Sequence, residues 1–252
     1  MRTPGTDELV RIWELGIEQP AWYRGLLMLV PAFPEASMRD LSAISIGSRN
    51  RFLFALRRAL FGSSLAAGTA CVKCREPIEF DLRIEDVCDL ENIEACHPEP
   101  STPFNLRIAD ATLRIRPLTS ADFSGLARDM LPARGSALLM ERVVHVLEPA
   151  GPTAYTLTIE QFEAAVEALQ ERDANMETWL QLSCHSCGQE WSSLLDIASY
   201  LWSEIASLVQ RVLDEVATIA QSFGWSEREI LKMSPGRREF YLARSGDGEE
   251  LR

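Results

Sequence analysis

Residues 183–191 read SCHSCGQEW, and the two thiols in this stretch, Cys184 and Cys187, decide how the rest of the chain must fold. Two cysteines separated by two residues hold half of a tetrahedral metal site when a tight turn between strands points both inward, so a second pair is needed elsewhere. CVKC, with Cys71 and Cys74, supplies it. Both pairs have strand-like neighbours: CVKC precedes an alternating run from Ile78, and Thr178 to Leu182 leads into CHSC. This is the zinc-ribbon arrangement, with residues 75–183 between its halves where a spacing of roughly 15–20 residues is usual. The ribbon is therefore expected to carry a large insertion, which loop-closure entropy permits because it grows only logarithmically with length. One structural zinc ion per chain on Cys71, Cys74, Cys184 and Cys187 is the expected cofactor, since four thiolates leave no coordination position for an activated water.

The other candidate groups point away from catalysis. Cys88 reads as a small core residue, Cys96 as a loop thiol and His185 as a solvated residue of the second knuckle. Neither CxxC opens a helix after a strand, as a thioredoxin-like redox motif requires. HPE at 97–99 followed later by CxxC is reminiscent of a zinc deaminase. Ala70 and Ser183, however, stand where that signature places proline, and Pro98 and Pro100 hold the histidine in a loop. No GxSxG, phosphate loop or HExxH is present, and His97, His145 and His185 are too scattered to suggest a nucleophile–base pair. The chain reads as non-enzymatic, with no small-molecule substrate.

Composition narrows the partners. With 46% hydrophobic and 25% charged residues over 252 positions, the chain is globular in type, expected as one domain with a discontinuous subdomain or two small intertwined ones. Its net charge of −12, from 37 acidic against 25 basic side chains, disfavours nonspecific binding to nucleic acid or anionic membrane and leaves a protein partner as the better fit. MRTPGTDELV carries no apolar signal core, and Leu26 to Val30 is too short to span a bilayer. A cytoplasmic location with reduced cysteines is expected.

Periodicity places the elements. Residues 1–62 read as a helical N-terminal region: a helix capped by Thr6 and stopped at Gly16, one through Trp22 to Leu29, and one over Ser48 to Phe61. The last carries Phe52, Leu53, Leu56 and Leu60 on one face, leaving Arg49, Arg51, Arg57 and Arg58 as a basic outer face. Residues 63–118 hold the first knuckle, a strand from Ile78 to Ile84, and a hairpin of Phe104–Ile108 with Leu113–Ile115; residues 88–103 are expected as a loop over the sheet surface. Residues 119–175 are expected as a helical insertion, with helices over Thr119 to Met130 and from Thr158, where Thr158 and Gln161 form a capping box and Leu157 staples to Phe162. Residues 176–192 complete the ribbon. In 193–252 a long helix steps through Ile197, Leu201, Ile205, Leu208, Val212, Val216, Ile219 and Phe223; Gly224 breaks it, and a short helix follows with Ser226 and Glu229 as capping box and Trp225 and Ile230 as staple. The fold class is α+β, mainly α, with a small antiparallel β ribbon split by the insertion.

LVRIWELGIEQPAWYRGLLML (9–29), LSAISIGSRNRFLFALRRALFG (41–62), the two knuckles and the closing stretch from Trp191 to Leu242 together resemble the baseplate hub assembly chaperones of contractile-tailed phages and phage-tail-like contractile injection systems. The resemblance covers nearly the whole chain. It implies a protein that helps assemble the baseplate hub and spike, and it brings no catalytic residue. The tail supports a partner surface: Trp225, Ile230, Leu231, Met233, Phe240 and Tyr241 are many large apolar groups for a solvated terminus, and Arg237 with Arg238 completes a hot-spot composition. Residues 225–244 are expected to dock onto a hub or spike protein. The other function class, a zinc-ribbon nucleic-acid-binding or transcription-regulatory protein, would need a basic face, for which the arginines at 49, 51, 57 and 58 are the local cluster.

Overall fold

A computed structural model describes residues 1–93, 96–108, 111–126, 132–148 and 157–245. Helices α1 (Thr6–Gly16), α2 (Ala21–Leu29), α3 (Met38–Ala43) and α4 (Ile46–Phe61) precede strands β1 (Ser64–Ala70) and β2 (Pro77–Arg83) and a helical turn α5 (Ile84–Val87). Strands β3 (Phe104–Ile108) and β4 (Ala111–Ile115) lead to α6 (Pro132–Val143), β5 (Val144–Glu148) and α7 (Ile159–Arg172). Strands β6 (Trp179–Ser183) and β7 (Glu190–Leu194) then enter α8 (Ile197–Phe223), followed by α9 (Glu227–Leu231) and α10 (Pro235–Ser245). The fold is α+β and mainly helical, and the long C-terminal helix is followed by short ones. No helix among the described residues is long and apolar enough to cross a membrane.

The axis of the helical core is α8, which buries Ile197, Leu201, Ile205, Val209, Val212, Val216 and Ile219 along one stripe. Helices α1, α2, α4, α9 and α10 pack on it. The approach of α1 depends on Gly16, where a Cβ would lie 2.3 Å from the Trp202 ring. Arg24 stacks on that same ring with its guanidinium carbon 4.6 Å from the centroid and donates to the carbonyls of Gly16 and Ile17 at 2.8 and 2.5 Å. One side chain thus caps the orphan carbonyls of α1 and fixes α1 and α2 against α8.

A second core lies under the antiparallel sheet β3–β4–β5, where Leu113, Ile115, Met140, Val143, Ala165 and Leu169 are buried. The two cores meet at the N-terminus of α4. There the carboxylate of Asp173, at the C-terminus of α7, accepts from the backbone N–H of Gly47 at 2.9 Å and from Ser45 Oγ, a favourable place for negative charge. Asn50 Nδ2 adds a bond to the Asn175 carbonyl at 2.8 Å.

Several sequence expectations are corrected. Arg49 and Arg57 are not on a basic outer face: they are 7% and 4% exposed, because α4 is enclosed by neighbours rather than lying on the surface, and only Arg51 and Arg58 remain half-buried. Arg57 donates from Nε and Nη2 to Glu204 of α8 at 2.9 and 2.7 Å and from Nη1 to the carbonyls of Gly62 and Ser64. The helix expected from Thr119 is a 3₁₀ turn over Ser120–Phe123, since Asp122 turns back to take the N–H and hydroxyl of Thr119 at 2.8 and 2.9 Å; residues 127–130 of that expectation lie outside the described residues. Val144–Glu148 joins the sheet as β5 where a helical insertion was expected. Segment 88–103 does more than cover the sheet, for Cys88, Leu90 and Ile93 enter the helical core; residues 94 and 95 are outside the described ones. Thr6 is the first helical residue and Gly5 the cap, and Ile84 opens α5 instead of ending β2.

Two outcomes follow. Gly-to-Ala inside a helix usually gains about 1 kcal/mol, but at Gly47 the new Cβ would sit 2.2 Å from the Ala174 carbonyl and 2.4 Å from Asp173 Oδ1. Gly47→Ala is therefore expected to lose about 1–3 kcal/mol, read as a lower urea midpoint. The Asp122 carboxyl, pushed up by burial, is held below its ordinary value of 3.8 because the Arg116 fork and the two Thr119 donors outweigh that burial. A carboxyl held low in the folded state adds stability that is present above 3.8 and is lost as pH falls through the lowered value. Asp122→Asn should cost stability at neutral pH and progressively less below about pH 4, measured by denaturation midpoints across the acid range.

Candidate metal centre

Each CxxC occupies the turn of a two-stranded antiparallel hairpin, closed by the pairs Ala70 with Pro77 and Ser183 with Glu190. The two turns share their hydrogen bonds position by position. In the first, Cys71 N donates to the Glu76 carbonyl at 2.9 Å and Arg75 N to the Cys71 carbonyl at 3.0 Å; in the second, Cys184 N donates to Gln189 at 2.8 Å and Gly188 N to Cys184 at 2.9 Å. The residue after the second cysteine is left-handed in both, with φ of 65° at Arg75 and 68° at Gly188. Glycine accepts that conformation freely, whereas at Arg75 it costs of order 1–2 kcal/mol, so the turn geometry outweighs local preference in the first knuckle.

The four sulfurs converge. Cys71 Sγ lies 3.7 Å from Cys187 Sγ, and Cys74 Sγ lies 3.6 Å from Cys184 Sγ; all four lie within 4.8 Å of one another. A regular tetrahedron with metal–sulfur bonds of about 2.3 Å has edges of about 3.8 Å, so the donor set fits one tetrahedral ion. Cys71 and Cys184 are buried, Cys187 is half-buried and Cys74 is exposed, which puts the centre under the surface with one edge toward solvent. The thiols also compete for charge. The Cys71 thiol accepts the Cys74 and Lys73 backbone N–H groups, which outweigh its desolvation and draw it down to about 6. The Glu76 N–H lowers Cys74, but desolvation and the three neighbouring sulfurs together push it up to about 12. A cation among the sulfurs would let all four ionise at this spacing.

Among the described residues this is the one group of His, Cys, Asp and Glu side chains close enough to hold a metal. Cys88 is 3% exposed in the helical core, its thiol pushed up to about 11 by burial, and Cys96 is half-buried with Sγ toward the Asn92 carbonyl. His185 is exposed in the second knuckle, and His97 and His145 are exposed elsewhere. Sequence reasoning missed the left-handed Arg75, for which an arginine carries no local signal.

The C-terminal residues divide. Gly224, with φ of 70°, reverses the chain, and Trp225, Leu231 and Tyr241 then pack onto the helical core. Ile230 is fully buried and Arg238 is 3% exposed, its Nε donating to Glu215 and its Nη1 to the Met233 carbonyl, each at 2.8 Å. These two expected partner-binding residues are corrected to intramolecular core, because α10 lies along α8. Met233 is half-buried, while Arg237 and Phe240 are exposed. Phe240 belongs to a chain of rings with Tyr241, Trp225 and Phe223. Arg244, which the sequence reading passed over although it stands four residues after Phe240, lies 3.6 Å over that ring.

Comparison of the chain with family models, with curated proteins and with solved structures gives no match.

If one ion joins the two knuckles, the purified protein should contain about one metal ion per chain by elemental analysis. A Cys71→Ser, Cys184→Ser double variant should lose it together with much of the thermal stability, since metal binding here is also folding free energy. Cys88→Ser should leave the metal content unchanged, and full metal retention in the double variant would end the assignment.

Proposed function

We propose that the chain is a non-enzymatic assembly chaperone or structural component of the baseplate hub of a contractile phage tail-like particle, stabilised by a structural zinc ion on Cys71, Cys74, Cys184 and Cys187. The observation that carries the structural half is the sulfur cluster, whose contacts join residues 110 and 116 positions apart. An all-thiolate tetrahedron suits zinc or iron–sulfur chemistry; zinc adds no redox activity, and four protein ligands close its coordination. The hub half rests on the resemblance carried by residues 9–29, 41–62 and 191–242.

Within that reading, the partner meets the tail. Phe223 and Phe240 are 37% and 50% exposed, Arg244 lies over Phe240 and Arg237 over Tyr241, and Arg228 and Lys232 are exposed on the same tail with Glu227, Glu229 and Glu239. Exposed aromatic rings with arginines stacked on them suit a hot spot against a carboxylate on a hub protein. A nucleic-acid role is the weaker reading, because burial of Arg49 and Arg57 removes half of the basic cluster it would use.

The test is capture of the hub proteins encoded with the particle. A Phe240→Ala, Arg244→Ala double variant should lose capture by about tenfold or more while keeping metal content and thermal midpoint. Ile230→Ala should instead lower stability by about 2–5 kcal/mol. Equal capture by the surface variant, or no capture of hub protein by the native chain, would overturn the partner reading.

A further inference from the structure

Between the helical core and the helices α6 and α7 lies a cleft of about 660 Å³. Its wall is largely hydrocarbon, with Trp22 of α2, Leu118, Leu139 and Met140 of α6, and Val166 of α7 among its lining residues. Three charged residues line it, Arg49, Glu177 and Asp196; Arg49, 7% exposed, is the one cation among them. Its Nε and Nη2 donate to Asn50 Oδ1 at 3.2 and 2.9 Å, and Nη1 donates to Ser120 Oγ at 3.2 Å. Asn50 presents oxygen because its Nδ2 is held by the carbonyls of Asn175 and Met176. A guanidinium has five N–H donors. One on Nη1 and one on Nη2 therefore have no acceptor among the described residues.

Arg49 differs in this from three ion-paired arginines, two of them buried and Arg116 half-buried. Arg57 has Glu204, Arg116 has Asp122 and Arg238 has Glu215. Among the described residues Arg49 has no ion-pair partner; Asp196 and Asp173 act on it only from a distance, and burial pulls it down to about 10. Both aspartates are committed elsewhere, Asp173 to the α4 N-terminus and Asp196 to the N–H groups of Ala198 and Ser199 that open α8. Glu177, also in the wall, accepts from Trp179 Nε1 and Gln170 Nε2. A desolvated cation without a counter-ion is costly to keep, and the cost is relieved when a ligand brings the missing charge.

We propose that this cleft is a ligand site for an apolar carboxylate, its two oxygens taking the remaining Nη1 and Nη2 donors of Arg49 and its hydrocarbon body lying against the apolar wall. A bidentate guanidinium–carboxylate pair is the strong, planar form of this contact, and the cleft has the volume of a small-ligand site. With one cation and the carboxylates of Glu177 and Asp196 in the wall, the cleft disfavours a polyanionic phosphate, and a single carboxylate on an apolar body is the anion it suits. The carboxylate can come from a free acid or from the C-terminus of a partner chain, and the site depends on neither the metal nor the hub reading.

The test uses the native, metal-loaded protein and calorimetric titration with octanoate, octanamide, a peptide ending in Leu-Phe with a free carboxylate, and the same peptide amidated. At least one acid should saturate, and bind about tenfold or more tighter than its amide. Octanoate alone binding identifies a small-molecule source; the peptide alone identifies a chain terminus. Arg49→Met should abolish the acid preference, and Leu139→Trp, which fills the cleft, should abolish binding with the thermal midpoint retained. Failure of both acids to saturate, or equal binding of each acid and its amide, overturns the proposal without relying on either variant.

Discussion

Four sulfur atoms within 4.8 Å tie the place where the chain leaves the helical core to the place where it comes back. Strand β1 starts three residues after α4 ends, and β7 ends three residues before α8 begins; α4 and α8 pack on each other. The ribbon therefore sits at the neck of an excursion that includes a second hydrophobic core. A metal held at this neck would close a long loop, where the entropic gain is largest in principle. The Asp173 contact with the N-terminus of α4 closes the same excursion a second time, without metal.

Paired arginines, buried at positions 57 and 238 and half-buried at 116, carry out much of the remaining registration. Arg57 joins α4 to α8 and to the start of β1, Arg238 holds α10 on α8, and Arg116 with Asp122 shapes the turn after β4. Each places a charge where hydrocarbon would pack as well or better, so their contribution is to geometry more than to net stability. A fork with fixed donors accepts few alternative alignments, whereas apolar stripes can slide. Removing Glu204 or Glu215 is correspondingly costly, because it leaves a guanidinium 4% or 3% exposed without its partner.

What was legible in the chain was what obeys short-range rules. The knuckles follow from spacing, α8 from its apolar steps of three and four, and the caps at Thr158 and Ser226 from side chains three residues away that return the bond. The breaks at Gly62 and Gly224 also fell where the pattern stopped, each at positive φ. Burial by distant segments was not legible. Arg49 and Arg57 read as surface because periodicity cannot tell a helix with one covered face from one covered on several. VHVLE, from Val144, is apolar enough for either state and became β5 because β4 offered an open edge. The sulfur cluster was readable as a set, but not the sharing of burial among its members, with Cys71 covered and Cys74 open.

The length of α8 and its late place in the chain have a consequence in time. The helices it covers, α1, α2 and α4, are complete by Phe61, but the stripe that seals Leu26, Leu29, Phe52 and Leu53 starts only at Ile197. At synthesis rates of about 5–20 residues per second, roughly 7–27 s pass between the two. During that interval the N-terminal helices have one another, and the four-cysteine site has only the two thiols of the first knuckle. The first core begun is thus completed by an element made much later, so the nascent chain carries an apolar groove shaped for its own future segment until α8 emerges.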